Sequence, residues 1–127
     1  MYVLQFLTRH NFVSASKRNA EKHYNRGEDI YDWMLDSEHR QYSMALFKDP
    51  NESLEQAQTN KLLHIAKKLD LKEGERLLDL GCGWGGAGRF FAKKFGCEVH
   101  GISLASNQID YCNKKARETK LDNLISY

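Results

Sequence analysis

Glu75-Arg76-Leu77-Leu78-Asp79-Leu80-Gly81-Cys82-Gly83-Trp84-Gly85-Gly86-Ala87-Gly88 begins as a short apolar strand and breaks at once into a loop made largely of glycine. Glycine is needed where the backbone takes positive φ or where a ligand approaches with no Cβ in the way, and the helix that follows points free N–H groups at whatever is bound. Gly81-x-Gly83-x-x-Gly86 also satisfies the dinucleotide fingerprint, so the glycines alone do not choose the ligand. Asp79 does. A carboxylate two positions before the first glycine repels a pyrophosphate and attracts an ammonium, which suits the methionine part of S-adenosylmethionine better than NAD. A glycine-rich turn with no ligand is the bland alternative, but five glycines in the eight positions 81–88 would lose backbone entropy with nothing gained.

Downstream of the loop, Ala87, Phe90, Phe91 and Phe95 predict a helix stopped by Gly96, with Lys93 and Lys94 in its last turn. Glu98 to Ile102 reads as a second strand, Ser103 to Gln108 as the next turn, and Ile109, Cys112 and Ala116 as the buried stripe of another helix. Leu124-Ile125-Ser126-Tyr127 opens a third apolar strand with no turn or cap after it, which predicts a fragment of a longer enzyme. Strand, helix, strand, helix, strand is the first part of an α/β, doubly wound parallel sheet, whose ligands sit beyond the carboxyl ends of the strands. Both turns lie there. The second carries Ser103 and Gln108 where many nucleotide-binding sheets carry an acid; they can hydrogen-bond a ribose or carboxylate, or equally cap the helix with no ligand.

Upstream, Ser53-Leu54-Glu55-Gln56 has capping-box spacing, and Leu54, Ala57, Leu62, Ile65, Ala66 and Leu69 give one helical face ending near Asp70. Lys61, His64, Lys67 and Lys68 read as its solvated side, with a lipid headgroup contact as the sharper alternative. Before it, Arg40 to Phe47 reads as extended and Lys48-Asp49-Pro50-Asn51 as a turn. Ile30, Trp33 and Met34 form an i, i+3, i+4 stripe that reads as core, and Ser16 caps an expected helix through Tyr24 with Gly27 as its stop. The net charge of +2, with basic residues spread along 127 positions, implies no nucleic acid. Three cysteines without CxxC or Cys/His spacing imply no metal and a reducing compartment. No run is long enough for a transmembrane segment, and Tyr2 to Leu7 lacks the features of a signal peptide, so the expected location is cytoplasmic.

Taken together, the motifs resemble the cyclopropane-fatty-acid synthases and their mycolic-acid cyclopropane synthase relatives. The resemblance runs from about Lys17 to the end: Lys17-Arg18-Asn19, His23-Tyr24-Asn25, Gly27, Tyr31, Trp33-x-Leu35-Asp36, Tyr42-Ser43-x-Ala45-x-Phe47, Leu54-x-x-Ala57-Gln58-x-x-Lys61, the glycine loop, and Gly101-Ile102-Ser103-Leu104-x-x-Asn107-Gln108. It implies a Rossmann-like class I methyltransferase, beginning at residues 53–127 and preceded by a small helical lid in residues 1–52. It also implies that Tyr42 and Ser43 close over S-adenosylmethionine from the lid, that Asp79, Gly81, Cys82, Gly83, Trp84 and Gly85 hold its methionine part, and that Ser103 and Gln108 meet the rest. An aromatic ring such as Tyr42 or Trp84 near the sulfonium would add roughly 0.5–2 kcal/mol of cation–π attraction, with plain packing as the alternative for both. His23 is expected to pack in the lid.

The implied reaction is methyl transfer to the cis double bond of phospholipid acyl chains, followed by closure of a cyclopropane. The partners are unsaturated phospholipid at the membrane surface, met peripherally from the inner face, and a second copy in a homodimer. One departure stands out: Met44 occupies the place of the family's cysteine beside a bicarbonate ion thought to act as base. Met44 can replace that cysteine if it contributes its backbone N–H; if the thiol matters, ring closure is in doubt. The family's other bicarbonate contacts and acyl pocket fall beyond Tyr127, so the catalytic residues are unknown and the fragment alone is expected to be inactive. The rival readings are a methyltransferase for small amines or for methyl-branched lipids, an NAD-dependent oxidoreductase disfavoured by Asp79 and Ser103, and a non-catalytic binding protein.

Overall fold

The computed structural model of the chain describes residues 15–16, 18–19 and 29–127. The expected helix from Ser16 to Tyr24 lies outside them except at 15–16 and 18–19, which are helical, and His23 lies wholly outside. The described elements are α1 (Asp29–Met34), α2 (Leu54–Leu69), β1 (Arg76–Leu80), α3 (Gly86–Phe95), β2 (Glu98–Ile102), α4 (Ser106–Glu118) and β3 (Ile125–Ser126). The three strands form one parallel sheet in the order β1-β2-β3, with Leu77 opposite Val99 and Val99 opposite Ile125. This is the α/β arrangement the strand and helix alternation predicts, with a helical segment ahead of the sheet.

Period-two alternation decides which face of the sheet is covered. Val99 and Ile125 point into a core with Leu62 and Ala66 of α2, Phe91 and Ala92 of α3, and Cys97, while Leu77 packs against its margin. The opposite face is bare: Leu78 and Leu80 are 60% and 72% exposed, and a concavity of about 480 Å³ runs over Arg76, Leu78, His100 and Ser126. The termini of the helices follow their sequence signals. Ser53 accepts a hydrogen bond from the Gln56 amide through its side chain at 3.2 Å, Asp70 ends α2 in the left-handed region, and Gly96 ends α3 at φ 68°.

Two readings of faces are corrected. Ile30, Trp33 and Met34 are exposed, and the residue of α1 that packs inward is Tyr31, whose ring lies 5.0 Å from that of Trp84. A six-residue helix is too short for its apolar period to fix the buried side, and the aromatic contact selects Tyr31 instead. On α2, Leu54, Ile65 and Leu69 are exposed, while Gln58 and Asn60 are buried and Lys61 is half-buried. The segment from residue 36 to 47 lies along that side of α2, so polar side chains meet the polar backbone there.

After a turn at residues 37–39 that segment runs without regular structure and pairs with no strand among the described residues, its backbone groups being taken largely by side chains. The buried Asp36 carboxylate accepts from the amides of His39 at 2.6 Å and Gln41 at 2.7 Å. Gln58 Nε2 donates to the Ser43 carbonyl at 2.9 Å, and the Leu46 amide donates to the Ala57 carbonyl at 3.1 Å. Arg40 sits at φ 52°, so the chain reverses at a non-glycine residue held in place by these neighbours.

Candidate functional site

The loop between β1 and α3 is shaped by its surroundings. The amides of Gly81 and Cys82 both donate to the Ile102 carbonyl, at 2.9 and 3.0 Å, which ties the loop to the end of β2. Three successive carbonyls are then bonded by side chains from three places: Gly83 by the Cys112 thiol at 3.4 Å, Trp84 by Arg89 Nη1 at 2.7 Å, and Gly85 by the Tyr127 hydroxyl at 3.2 Å. The loop is therefore built by its own fold and needs no ligand to shape it. Gly81 and Gly83 have φ of +79° and +53°, and a Cβ on either would project into open space, the arrangement of a backbone exposed for a ligand to approach.

Opposite the loop stands the extended segment. Arg40, Gln41, Tyr42 and Ser43 on one side and Gly81, Cys82, Gly83, Trp84 and Gln108 on the other line one cavity of about 250 Å³. Gly86 brings the two sides together, since a Cβ there would run into the carbonyl oxygen of His39. Of the residues singled out from the sequence, Tyr42, Ser43, Gly81, Cys82, Gly83, Trp84 and Gln108 thus meet in one place. Asp79, Gly85 and Ser103 do not line the cavity. Gly85 packs under Tyr127 and Cys112, and Ser103 donates to Gln108 Oε1 at 2.8 Å while accepting from the Ala105 amide at 3.2 Å. Met44 is 86% exposed and also lies outside the lining.

The electrostatics of the site have three centres. Burial raises the carboxyl of Asp79 above its ordinary value, and among the described residues its side chain has no hydrogen bond or salt bridge. A desolvated carboxylate with no cation beside it fits an ammonium. Trp84 is 2% exposed, and the cation it meets in this structure is Arg40, whose guanidinium carbon lies 4.2 Å from the indole centroid and 4.6 Å from that of Tyr111. Its indole N–H is buried with no partner among the described residues, a donor left over at the cavity wall. The third centre is a thiol pair: a hydrogen bond with Cys112 lowers the Cys82 thiol, and the same contact, followed by burial, raises that of Cys112.

Sequence reasoning missed the residues that hold the extended segment. Lys61, read as solvated, donates from Nζ to Gln41 Oε1 at 3.0 Å and to Ser43 Oγ at 2.9 Å, and desolvation lowers its pKa. Gln58 and Lys61 stand three residues apart on α2, hence on one face, and that spacing was the available signal. Asp36 bonds amides only three and five residues on, whereas Arg40 gave no signal of its own, because Trp84 and Tyr111 are near it only after the chain has folded.

Mycolic acid cyclopropane synthetase is the family that matches residues 13–125, and the chain belongs to it. Its fold is that of the class I methyltransferases. Among the curated proteins it is similar to the sphingolipid C9-methyltransferase of Komagataella phaffii, 43% identical over 111 residues, which are 86% of this chain and 22% of that protein. It is also similar to the cyclopropane-fatty-acyl-phospholipid synthase of Escherichia coli, 43% identical over 101 residues, 76% of this chain and 26% of the other. Among solved structures, the mycolic acid cyclopropane synthase CmaA1 complexed with SAH and CTAB superposes with a TM-score of 0.76 at 32% identity, over 80% of this chain and 35% of that one. The chain thus spans about a fifth to a third of the length of these relatives.

Proposed function

We propose that the protein carrying this chain is an S-adenosylmethionine-dependent methyltransferase that adds a methyl group to a double-bond carbon of a lipid acyl chain. The observation that carries the reading is the cavity itself: Tyr42 and Ser43 face the glycine loop across it, and Asp79, desolvated and without a cation, stands at the end of the strand that feeds the loop. The features at and beside the cavity fit such a cofactor: an acid near the end of β1 for its ammonium, open backbone at Gly81 and Gly83, and a spare indole donor. The cofactor supplies an electrophilic methyl on a sulfonium. The chain's own residues bind and orient: Asp79 takes the ammonium, Tyr42 and Ser43 cover the cavity, and Gln108, held by Ser103, closes its far side. An alkene is a weak nucleophile, so holding it in line and keeping water away are what the protein must provide.

Between products we favour a methyl branch on an unsaturated lipid over a ring. The sphingolipid C9-methyltransferases of Komagataella phaffii and Candida albicans, at 43% and 39% identity, support the branch. So does Met44, which has no acidic proton and stands exposed where the resemblance puts the cysteine of the ring-closing base site. The second reading, ring closure, is supported by the 43% identity to the Escherichia coli enzyme. After methyl transfer both products require loss of one proton: from the carbon that received the methyl, restoring the alkene, or from the methyl itself, closing the ring. The two are isomers, so mass cannot separate them. Expressing the full-length protein in a host that lacks the activity and examining its lipids by proton NMR does, since ring hydrogens resonate at high field. A methyl beside a retained alkene is expected. Ring signals would replace the branch by the ring, and unaltered lipids with a methylated amine would reject the lipid reading. Among the described residues no helix is long and apolar enough to cross a membrane. The lipid is therefore proposed to be met peripherally.

A further inference from the structure

We propose that Lys61 is a positioning residue of the cofactor site, holding the Ser43 hydroxyl as a hydrogen-bond donor to a ligand carboxylate; this rests on the reading of the site given above. An ammonium only donates, so at 2.9 Å the Ser43 oxygen must be the acceptor, and at 3.0 Å so must Gln41 Oε1. The hydroxyl keeps one hydrogen, and Lys61 cannot take it. Gln58 Nε2 also binds the Ser43 carbonyl at 2.9 Å and reaches the Gln41 carbonyl at 3.4 Å. Residues 41 and 43 are thus gripped twice from α2, by side chain and by backbone. Ser43 lines the cavity, so the proton it keeps can be turned toward a ligand there.

Charge points the same way. Lys61 is half-buried and forms no salt bridge among the described residues. The acid that acts on it is Asp36, whose two oxygens are already engaged by the amides of His39 and Gln41. By donating to Ser43 Oγ, the cationic Lys61 polarises that hydroxyl and makes it a better donor to an anionic group. Asp79 at the strand end carries the opposite sign and is likewise unpaired among the described residues. A ligand bearing both an ammonium and a carboxylate, the amino-acid end of an adenosyl thioether, satisfies both. Gln41 couples the lid to the loop as well, since its amide nitrogen would lie 3.0 Å from a Cβ on Gly86.

The test compares two ligands in the full-length protein by calorimetry: S-adenosylhomocysteine, which has the amino-acid end, and 5′-methylthioadenosine, which lacks it. Lys61→Met should weaken the first roughly ten- to hundredfold and the second by less than about twofold, because the Ser43 hydroxyl is then no longer held as a donor to the amino-acid end. Lys61→Arg, keeping charge and donors, should recover most of the loss. In a Ser43→Ala background Lys61→Met should add little, because the lysine acts through that hydroxyl. Equal weakening of both ligands, or effects that add in the double variant, would overturn the proposal and leave the cofactor reading standing. If the unaltered protein binds neither ligand, both fall together. Should Lys61→Met fail to fold, Ser43→Ala alone decides: it must weaken S-adenosylhomocysteine selectively, and an unselective loss overturns the role of the hydroxyl.

Discussion

The loop from Gly81 to Gly85 is joined to an apolar core in which Val99, Phe91, Leu62 and Ile125 pack on one another, whereas the facing segment from Asp36 to Phe47 is held by polar contacts. Burial of apolar surface is non-directional and tolerates small shifts; a hydrogen bond weakens steeply when its geometry changes. One wall of the cavity is therefore backed by an apolar core beneath its own hydrogen bonds, and the other rests mainly on alignment. The polar wall is expected to open locally at the lower free energy, as a segment that admits a ligand and then covers it would. Mutations that strike one wall should leave different marks from those that strike the other.

The largest effect is expected where the walls touch. Gly86→Ala places a Cβ against the His39 carbonyl, backbone against backbone, with no flexible side chain to give way. About 3 kcal/mol of destabilisation is expected in denaturant unfolding of the full-length protein, with loss of S-adenosylhomocysteine binding. Gly83→Ala meets no atom and suffers only from its positive φ, about 1–2 kcal/mol. If the two substitutions destabilise equally, the close contact between the walls is not real. Next comes Asp36→Ala, which strips acceptors from two amides. It is expected to lower stability by about 2 kcal/mol and to act locally. Amide exchange should quicken across residues 39–46 and stay unchanged across 77–80; uniform quickening would show the lid to be part of the same cooperative unit as the sheet.

The same contrast decides how much was legible in the sequence. Arg76–Leu80, Gly86–Phe95 and Glu98–Ile102 were readable because each carries its own apolar run and its own stop, and these signals act within a few residues. The meeting of Tyr42 and Ser43 with the glycine loop followed from resemblance, not from pattern. What pattern could not give was the support beneath them. Arg40 stacks on Trp84 and Tyr111, residues 44 and 71 positions away, and Lys61 reaches back to Ser43 across a turn. A charged residue on a helix reads as solvated until the polar segment that covers it is known. The exposed stripe of α1 failed for the complementary reason: its period was correct for an amphipathic helix, but nothing local says which side faces the protein.

A smaller effect is expected from pH, and its sign separates binding from folding. Burial raises Asp79 above 3.8, so its contribution to stability of the ligand-free fold is fully present below that unfolded value and is lost as pH rises through the folded one. Ligand binding runs the other way, because an ammonium needs the ionised acid. Affinity for S-adenosylhomocysteine should therefore rise with pH through the same range, by about tenfold for each unit below the folded pKa. Asp79→Asn should bind weakly and nearly independently of pH across that range. An unaltered pH profile in that variant would remove Asp79 from the ammonium site.

The smallest effect is expected on α1, the helix that precedes the polar wall. Trp33 is 91% exposed on α1, with Ile30 and Met34 beside it, while Tyr31 of the same helix holds the contact to Trp84. If the lid side owes its place to polar contacts and to Tyr31 alone, Trp33→Ser removes little that is buried and should change stability by less than about 0.5 kcal/mol. Cofactor affinity should be unchanged too, because Trp33 does not line the cavity. The measurement belongs in the full-length protein. A loss above about 1.5 kcal/mol there, the scale for burying a large apolar side chain, would mean that the stripe is packed in the intact molecule. The lid would then have an apolar support of its own, and its opening would be opposed by burial as well as by alignment.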